Sequence, residues 1–236
     1  MTTSLNNKLP INEFFATIQG EATYIGTPSF FLRVQKCPVG CGFCDTKYTW
    51  DLNPEDETDN IQEIIDKNSL DFSKGEGNSR YVNLSNDQIV ELVDQNKMNH
   101  VVFTGGEPCI YDLTDITETL HQKGYSTQIE TSGTFEIRTS DKTWVTVSPK
   151  IGKSIQGGYE VLESSYKRAN EIKYPVGKHK DIDHLKEVVE LHDLGSKIIW
   201  LQPLSVSEKA TELCVEKALE NNWRISIQAH KYINVR

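Results

Sequence analysis

Cys37, Cys41 and Cys44 are the side chains of this sequence best placed to do chemistry, three thiols in the stretch Lys-Cys-Pro-Val-Gly-Cys-Gly-Phe-Cys-Asp-Thr. Soft thiolates select zinc, copper(I) or iron–sulfur clusters. A structural zinc closes its tetrahedron with a fourth Cys or His at short spacing, yet the next downstream candidates are His100 and Cys109. Three ligands leave one position open, which suits a [4Fe-4S] cluster whose fourth iron binds something else. Spacing alone leaves a zinc site and a redox or merely buried thiol set as alternatives.

A second feature is Thr104-Gly105-Gly106-Glu107-Pro108. Paired glycines let the backbone approach a ligand closely, and Gly105, Gly106 and Glu107 offer acceptors to an ammonium group. By itself such a turn is an ordinary strand-to-helix loop. Other polar runs follow predicted strands in the same manner: Glu130-Thr131-Ser132-Gly133-Thr134, Ser148-Pro149-Lys150, Lys173 and Gln202-Pro203. Phe43 is either an adenine-stacking ring or a loop aromatic packed on its neighbours.

These loops need elements to carry them. A first strand is expected over 12–18, and a second, with Phe30, Leu32 and Val34 on one face and Phe31 and Arg33 on the other, delivers the cysteines. Arg33 then faces either a lumen or the solvent. After an expected helix over 54–67 and a polar run over 73–79, helices and strands alternate. Helices are read at 86–97, 112–123, 165–169, 183–194 (stopped by Gly195) and 207–221 (capped by Ser207). Strands are read at 100–104, 125–130, 143–147, 171–174, 197–201 and 223–228. The alternation implies an α/β fold with a parallel sheet and right-handed crossovers, in which ligands gather at the carboxyl ends of strands. A partial (βα) barrel and an open doubly wound sheet both satisfy this pattern.

The chain of 236 residues is long enough for one domain with a large core, and its formal charge of -9 argues against a broad phosphate-binding face. Residues 51–80 form an acidic insert, nine acidic against three basic side chains, read as a solvated face. No apolar run of membrane-spanning or signal-peptide length occurs. Five cysteines, three of them clustered, point to a reducing, cytoplasmic setting and not to a disulfide framework. Cys109 and Cys214 fit no cluster spacing and read as buried and inert.

The C-x3-C-x2-C spacing with Phe43 before the last cysteine resembles the radical S-adenosylmethionine enzymes. Phe15-Ala16-Thr17-Ile18-Gln19-Gly20-Glu21, Gly26-Thr27-Pro28, Cys44-Asp45-Thr46-Lys47-Tyr48, the Gly-Gly-Glu turn and Gln228-Ala229-His230-Lys231-Tyr232 narrow the resemblance, over nearly the whole chain, to the 7-carboxy-7-deazaguanine synthase family. The resemblance implies the partial barrel and a radical ring contraction of 6-carboxy-5,6,7,8-tetrahydropterin, with loss of ammonia, in queuosine biosynthesis. It implies that Cys37, Cys41 and Cys44 hold the cluster, that Thr46 ligates Mg²⁺, and that Phe43, Cys44, Asp45, Gly106, Ser148, Pro149, Lys150 and Gln202 contact S-adenosylmethionine. Ile18, Gln19, Gly20, Glu21, Arg33, Thr104, His230 and Arg236 would hold the pterin. A homodimer and a flavodoxin-type reductant are further implications, with no direct nucleic-acid or membrane partner. The competing assignments are another radical enzyme, such as a glycyl-radical activase, and a non-catalytic zinc-binding module.

Overall fold

A computed structural model describes residues 8–66, 77–150, 157–204 and 207–235. Arg236 and most of the polar run over 73–79 fall outside them. One sheet of nine strands organises the chain, in the order β3-β1-β2-β4-β5-β6-β7-β8-β9. Its strands are β1 (Leu9–Ile18), β2 (Pro28–Val34), β3 (Val82–Leu84), β4 (His100–Gly105), β5 (Ser126–Thr131), β6 (Trp144–Val147), β7 (Glu171–Val176), β8 (Ile198–Pro203) and β9 (Arg224–Ile225). From β2 onward all neighbours pair in parallel, whereas β1 is antiparallel to both β2 and β3.

The order decides between the two architectures. A doubly wound sheet reverses direction at a switch point, but here strand succeeds strand in one direction. Right-handed crossovers all taken one way put their helices on one face. The helices are α1 (Ile61–Asp66), α2 (Asn86–Asn96), α3 (Thr114–Gln122), α4 (Glu163–Arg168), α5 (His179–Leu191), α6 (Glu208–Asn221) and α7 (Ala229–Ile233). Fully buried Leu32, Phe103, Ile129, Val147, Ile172 and Leu201 meet Ile89, Ile116, Leu120, Leu185 and Cys214 from the helices. The alternate strand residues, Arg33, Thr104, Glu130, Lys173 and Gln202 among them, face the other side and line a cavity. The sheet is not closed, so the fold is a partial barrel.

Several element boundaries differ from those the sequence suggests, each for a local reason. β1 begins at Leu9 and not at residue 12, because a register shift between Ile11 and Glu13 interrupts its alternation. The expected helix over 54–67 is a single 3₁₀ turn at Pro54–Asp56 followed by α1. α5 starts at His179, where the Asp181 carboxylate accepts from the Gly177 and Lys178 amides. It ends at Leu191, with Asp193 and not Gly195 taking the left-handed conformation at φ 51°. Ser207 occupies the cap position of α6 but donates and accepts no capping bond through its side chain. β9 is two residues long; beyond it Ser226 Oγ accepts from the Ala22 amide, and the chain turns into α7.

The closed bottom of the lumen is largely polar and hydrogen-bonded, although the Trp144 indole N–H, packed edge-on against Tyr24, is buried without a partner among the described residues. Glu171 accepts from Thr23 Oγ1 (2.5 Å), Thr146 Oγ1 (2.7 Å) and Trp200 Nε1 (2.8 Å). Tyr24 stacks on His100 with ring centroids 4.3 Å apart. The turn after β1 thereby plugs the barrel and leaves the carboxyl ends of the strands as the open mouth.

Candidate active site

The mouth holds a cavity of about 430 Å³. β2 hands the chain to the cysteine loop through Lys36, whose backbone adopts φ 81°, while the Lys36 and Cys37 amides bond to the carbonyls of Thr49 and Trp50. Cys37, Cys41 and Cys44 all line the cavity, and none forms a disulfide. Burial pushes the Cys37 thiol up to about 11 and raises Cys41 as well. Binding a metal centre requires these thiols to release their protons. Among the described residues no three Cys, His, Asp or Glu side chains converge tightly enough to hold a single ion. Three thiols around one cavity with no fourth Cys or His at short spacing suit a cluster with one open iron better than a closed structural zinc.

The paired glycines have a structural purpose that differs from the expected one. A Cβ on Gly106 would lie 2.2 Å from the Lys36 carbonyl oxygen, and one on Gly105, at φ 127°, 2.4 Å from the Val34 amide nitrogen. The Gly106 and Glu107 amides bond to the Val34 and Lys36 carbonyls (both 2.9 Å), so this loop is pressed against the exit that aims Cys37. Glu107 is likewise not an open acceptor. Its buried carboxylate accepts from the Cys109 amide (3.0 Å), Thr131 Oγ1 (2.6 Å), the Ser132 amide (2.9 Å) and Ser132 Oγ (2.5 Å), tying the loop after β4 to the one after β5.

On the far wall Lys173 donates to Glu21 and, at 2.5 Å, to Glu130. Gln228 (2.8 Å) and Gln202 (3.3 Å) donate to the other oxygen of Glu21, and Gln19 donates to Glu130 (3.1 Å) and Gln128 (3.2 Å). Burial opposes ionisation of Glu21, but the Lys173 ammonium outweighs it and holds the carboxyl well below the usual range. Burial also opposes the charge on Lys173, and its two carboxylates more than offset this. His230 borders the same wall; burial lowers its pKa, with Glu21 acting in the opposite sense.

Of the expected residues, Ile18, Gln19, Gly20, Glu21, Arg33, Phe43, Asp45, Thr46, Thr104, Gly106, Ser148, Lys150, Gln202 and His230 join the cysteines around this one cavity. Pro149 is buried and lies outside its lining. Gln19 is spent on protein partners, since its Oε1 also accepts from the Glu21 amide. Lys150 bonds to Ser148 Oγ (2.6 Å) and lies 5.9 Å from the centre of the Phe43 ring. Glu130, Ser132 and Lys173, noted in the sequence only as polar residues after strands, and Gln228, noted only within a motif, had no assigned role and also line the cavity. Their position after or at the ends of strands was the available signal.

Residues 32–201 match the model of the radical SAM superfamily. The chain is 45% identical over 229 residues, 96% of its length and 98% of the relative's, to the 7-carboxy-7-deazaguanine synthase of Escherichia coli K12. It is 43% identical over 228 residues to that of Buchnera aphidicola, covering 96% and 99% of the two chains. This chain belongs to the 7-carboxy-7-deazaguanine synthase family. The crystal structure of QueE from Escherichia coli agrees, with a TM-score of 0.87 at 42% identity over 97% of this chain and all of that one. Membership in the radical SAM superfamily brings with it a [4Fe-4S] cluster and S-adenosylmethionine, and the thiol wall is chemically suited to the first. No described helix is long and apolar enough to cross a membrane.

Proposed function

We propose that the chain converts 6-carboxy-5,6,7,8-tetrahydropterin to 7-carboxy-7-deazaguanine with loss of ammonia, in the queuosine pathway, and that the residues around the cavity divide the work. The observation that carries this reading is one cavity lined by three thiols, the Arg33 guanidinium and a Glu21–Lys173–Glu130 group in which one ammonium bridges two carboxylates. When bound, the cluster and S-adenosylmethionine supply a carbon-centred radical that takes a hydrogen from the pterin. The protein contributes orientation and exclusion of water.

Cys37, Cys41 and Cys44 would hold the cluster; Phe43, Asp45, Gly106, Ser148 and Lys150, with Gln202 as a further contact, would hold S-adenosylmethionine. Arg33 offers the planar fork that matches a carboxylate, and Thr104, His230 and the Ile18–Glu21 turn border the space beside it. Thr46 is assigned to Mg²⁺. Its hydroxyl lies 3.5 Å from Cys44 Sγ, and a hard cation takes oxygen donors while retaining waters, so one hydroxyl and the substrate carboxylate make a coherent set. We assign the enzyme to the cytoplasm as a homodimer fed by a flavodoxin-type reductant.

The test is anaerobic turnover with reductant, S-adenosylmethionine and the carboxypterin. A deazapurine product with little net cofactor consumed is expected, and Cys37→Ala should abolish it. Deoxyadenosine accumulating without that product would indicate a different radical enzyme.

A further inference from the structure

Arg33 is held from behind. Its Nε donates to Glu13, a buried residue of β1, and Tyr48 Oη donates to the same carboxylate oxygen at 3.2 Å. Glu13 reaches this place through the irregularity in β1. Leu9 and Ile11 point into the core, but after the extra residue Asn12 the parity changes, so that Phe14 faces the core while Glu13 and Phe15 lie beside Arg33 and Phe31. Bulges re-aim side chains in this way. Asn12, the residue made extra, turns its amide to the carbonyls of Asn78 (3.0 Å) and Arg80 (3.1 Å) and to Gln35 Oε1 (2.7 Å). Gln35 in turn donates to the carbonyls of Tyr48 (3.0 Å) and Asp51 (2.7 Å). Both ends of the acidic insert are thus fastened beside the substrate-facing arginine. Gly77, near its far end, lies flat on the Tyr48 ring; a Cβ there would be 2.0 Å from Tyr48 Cε1.

We propose that Glu13 and Tyr48 are positioning residues that fix Arg33 for the substrate carboxylate, and that the insert's return at 77–80 clamps this trio from behind. Taking up the Nε donor leaves the two Nη groups as the fork for the ligand, and anchoring one edge of a guanidinium fixes its plane. The insert is therefore part of carboxylate recognition although none of its described residues lines the cavity. This inference rests on the reading of Arg33 as the carboxylate ligand.

The experiment compares anaerobic binding of 6-carboxytetrahydropterin with that of tetrahydropterin lacking the carboxylate, in the cluster-loaded protein with S-adenosylmethionine. In Glu13→Gln and Tyr48→Phe the affinity for the carboxylated ligand should fall about tenfold, the size of losing one charge-assisted bond, while that for the decarboxy ligand stays put. KM should rise by a similar factor with kcat nearly unchanged. Arg33→Lys is the control on the underlying reading, since unchanged discrimination there would remove the arginine itself from carboxylate binding. If Arg33→Lys loses discrimination while Tyr48→Phe, which deletes a single hydroxyl, keeps the parental ratio, the positioning proposal is overturned. Equal weakening toward both ligands would mean a general structural role and would also overturn it.

Discussion

Lys173 lies between Glu21 and Glu130 with the three side chains largely out of water. Such a group is stable only as a unit, because removing one partner leaves an uncompensated charge at a cost of about 3–5 kcal/mol. Glu21 makes the pH consequence concrete. Its carboxyl sits at about 2 against an ordinary 4.5, burial being overcome by Lys173. The unfolded chain therefore binds this proton first as pH falls, and the stability the group confers is present above 4.5 and lost towards 2. Lys173, held above its ordinary value, keeps its contribution throughout the neutral range. Lys173→Met leaves two like charges in one wall, which raises the pKa of one of them. The acid limb of the kcat/KM profile should then move up by about one pH unit or more. Adding Glu130→Gln to that variant should bring the limb back, and a limb that stays at its parental position in Lys173→Met would show that the lysine does not keep the pair ionised.

At the scale of elements, the loops are aimed by backbone contacts as much as by side chains. Gly106 shows this most directly, since its Cβ would collide with the immovable Lys36 carbonyl. Gly106→Ala should destabilise the fold by about 1–3 kcal/mol, the usual cost of overpacking, and lower cluster content after reconstitution; thermal melts and iron counts measure both. A wild-type melt in that variant would mean that the loop is looser than described. The same elements show what could be seen in the sequence. The period of two in β2 put Phe31 and Arg33 on one face because that strand is regular, but periodicity left open whether that face met a lumen or the solvent; the structure turns it to the cavity. β1 could not be read in the same way, since one extra residue inverts its faces, and the purpose of Glu13 disappeared with the alternation. Glu107 looked like a ligand acceptor because sequence shows a carboxylate in a Gly-rich loop but not the four donors that fold onto it. Lys173 was visible as a polar residue after a strand, yet its two carboxylates come from loops and strands 43 and 152 residues away.

For the whole molecule, strands laid down in one direction put every crossover helix outside and leave one open-mouthed lumen. The plugged, hydrogen-bonded bottom, from Glu171 to the Tyr24–His100 stack, sets the depth to which a ligand can enter. On the proposed reading, the cysteine loop, Arg33 on the strand that leads into it and the Glu21–Lys173–Glu130 group around the same cavity hold a bicyclic substrate that carries a carboxylate in one orientation. An electron density map of the anaerobic enzyme with S-adenosylmethionine and the carboxypterin bound tests this most directly. It should show the pterin carboxylate on the Nη groups of Arg33, with the carbon that bears it turned to the ribose of the cofactor and the three thiols on three different irons. A pterin carboxylate paired instead with Lys173, or one metal ion gripped by all three thiols, would contradict it.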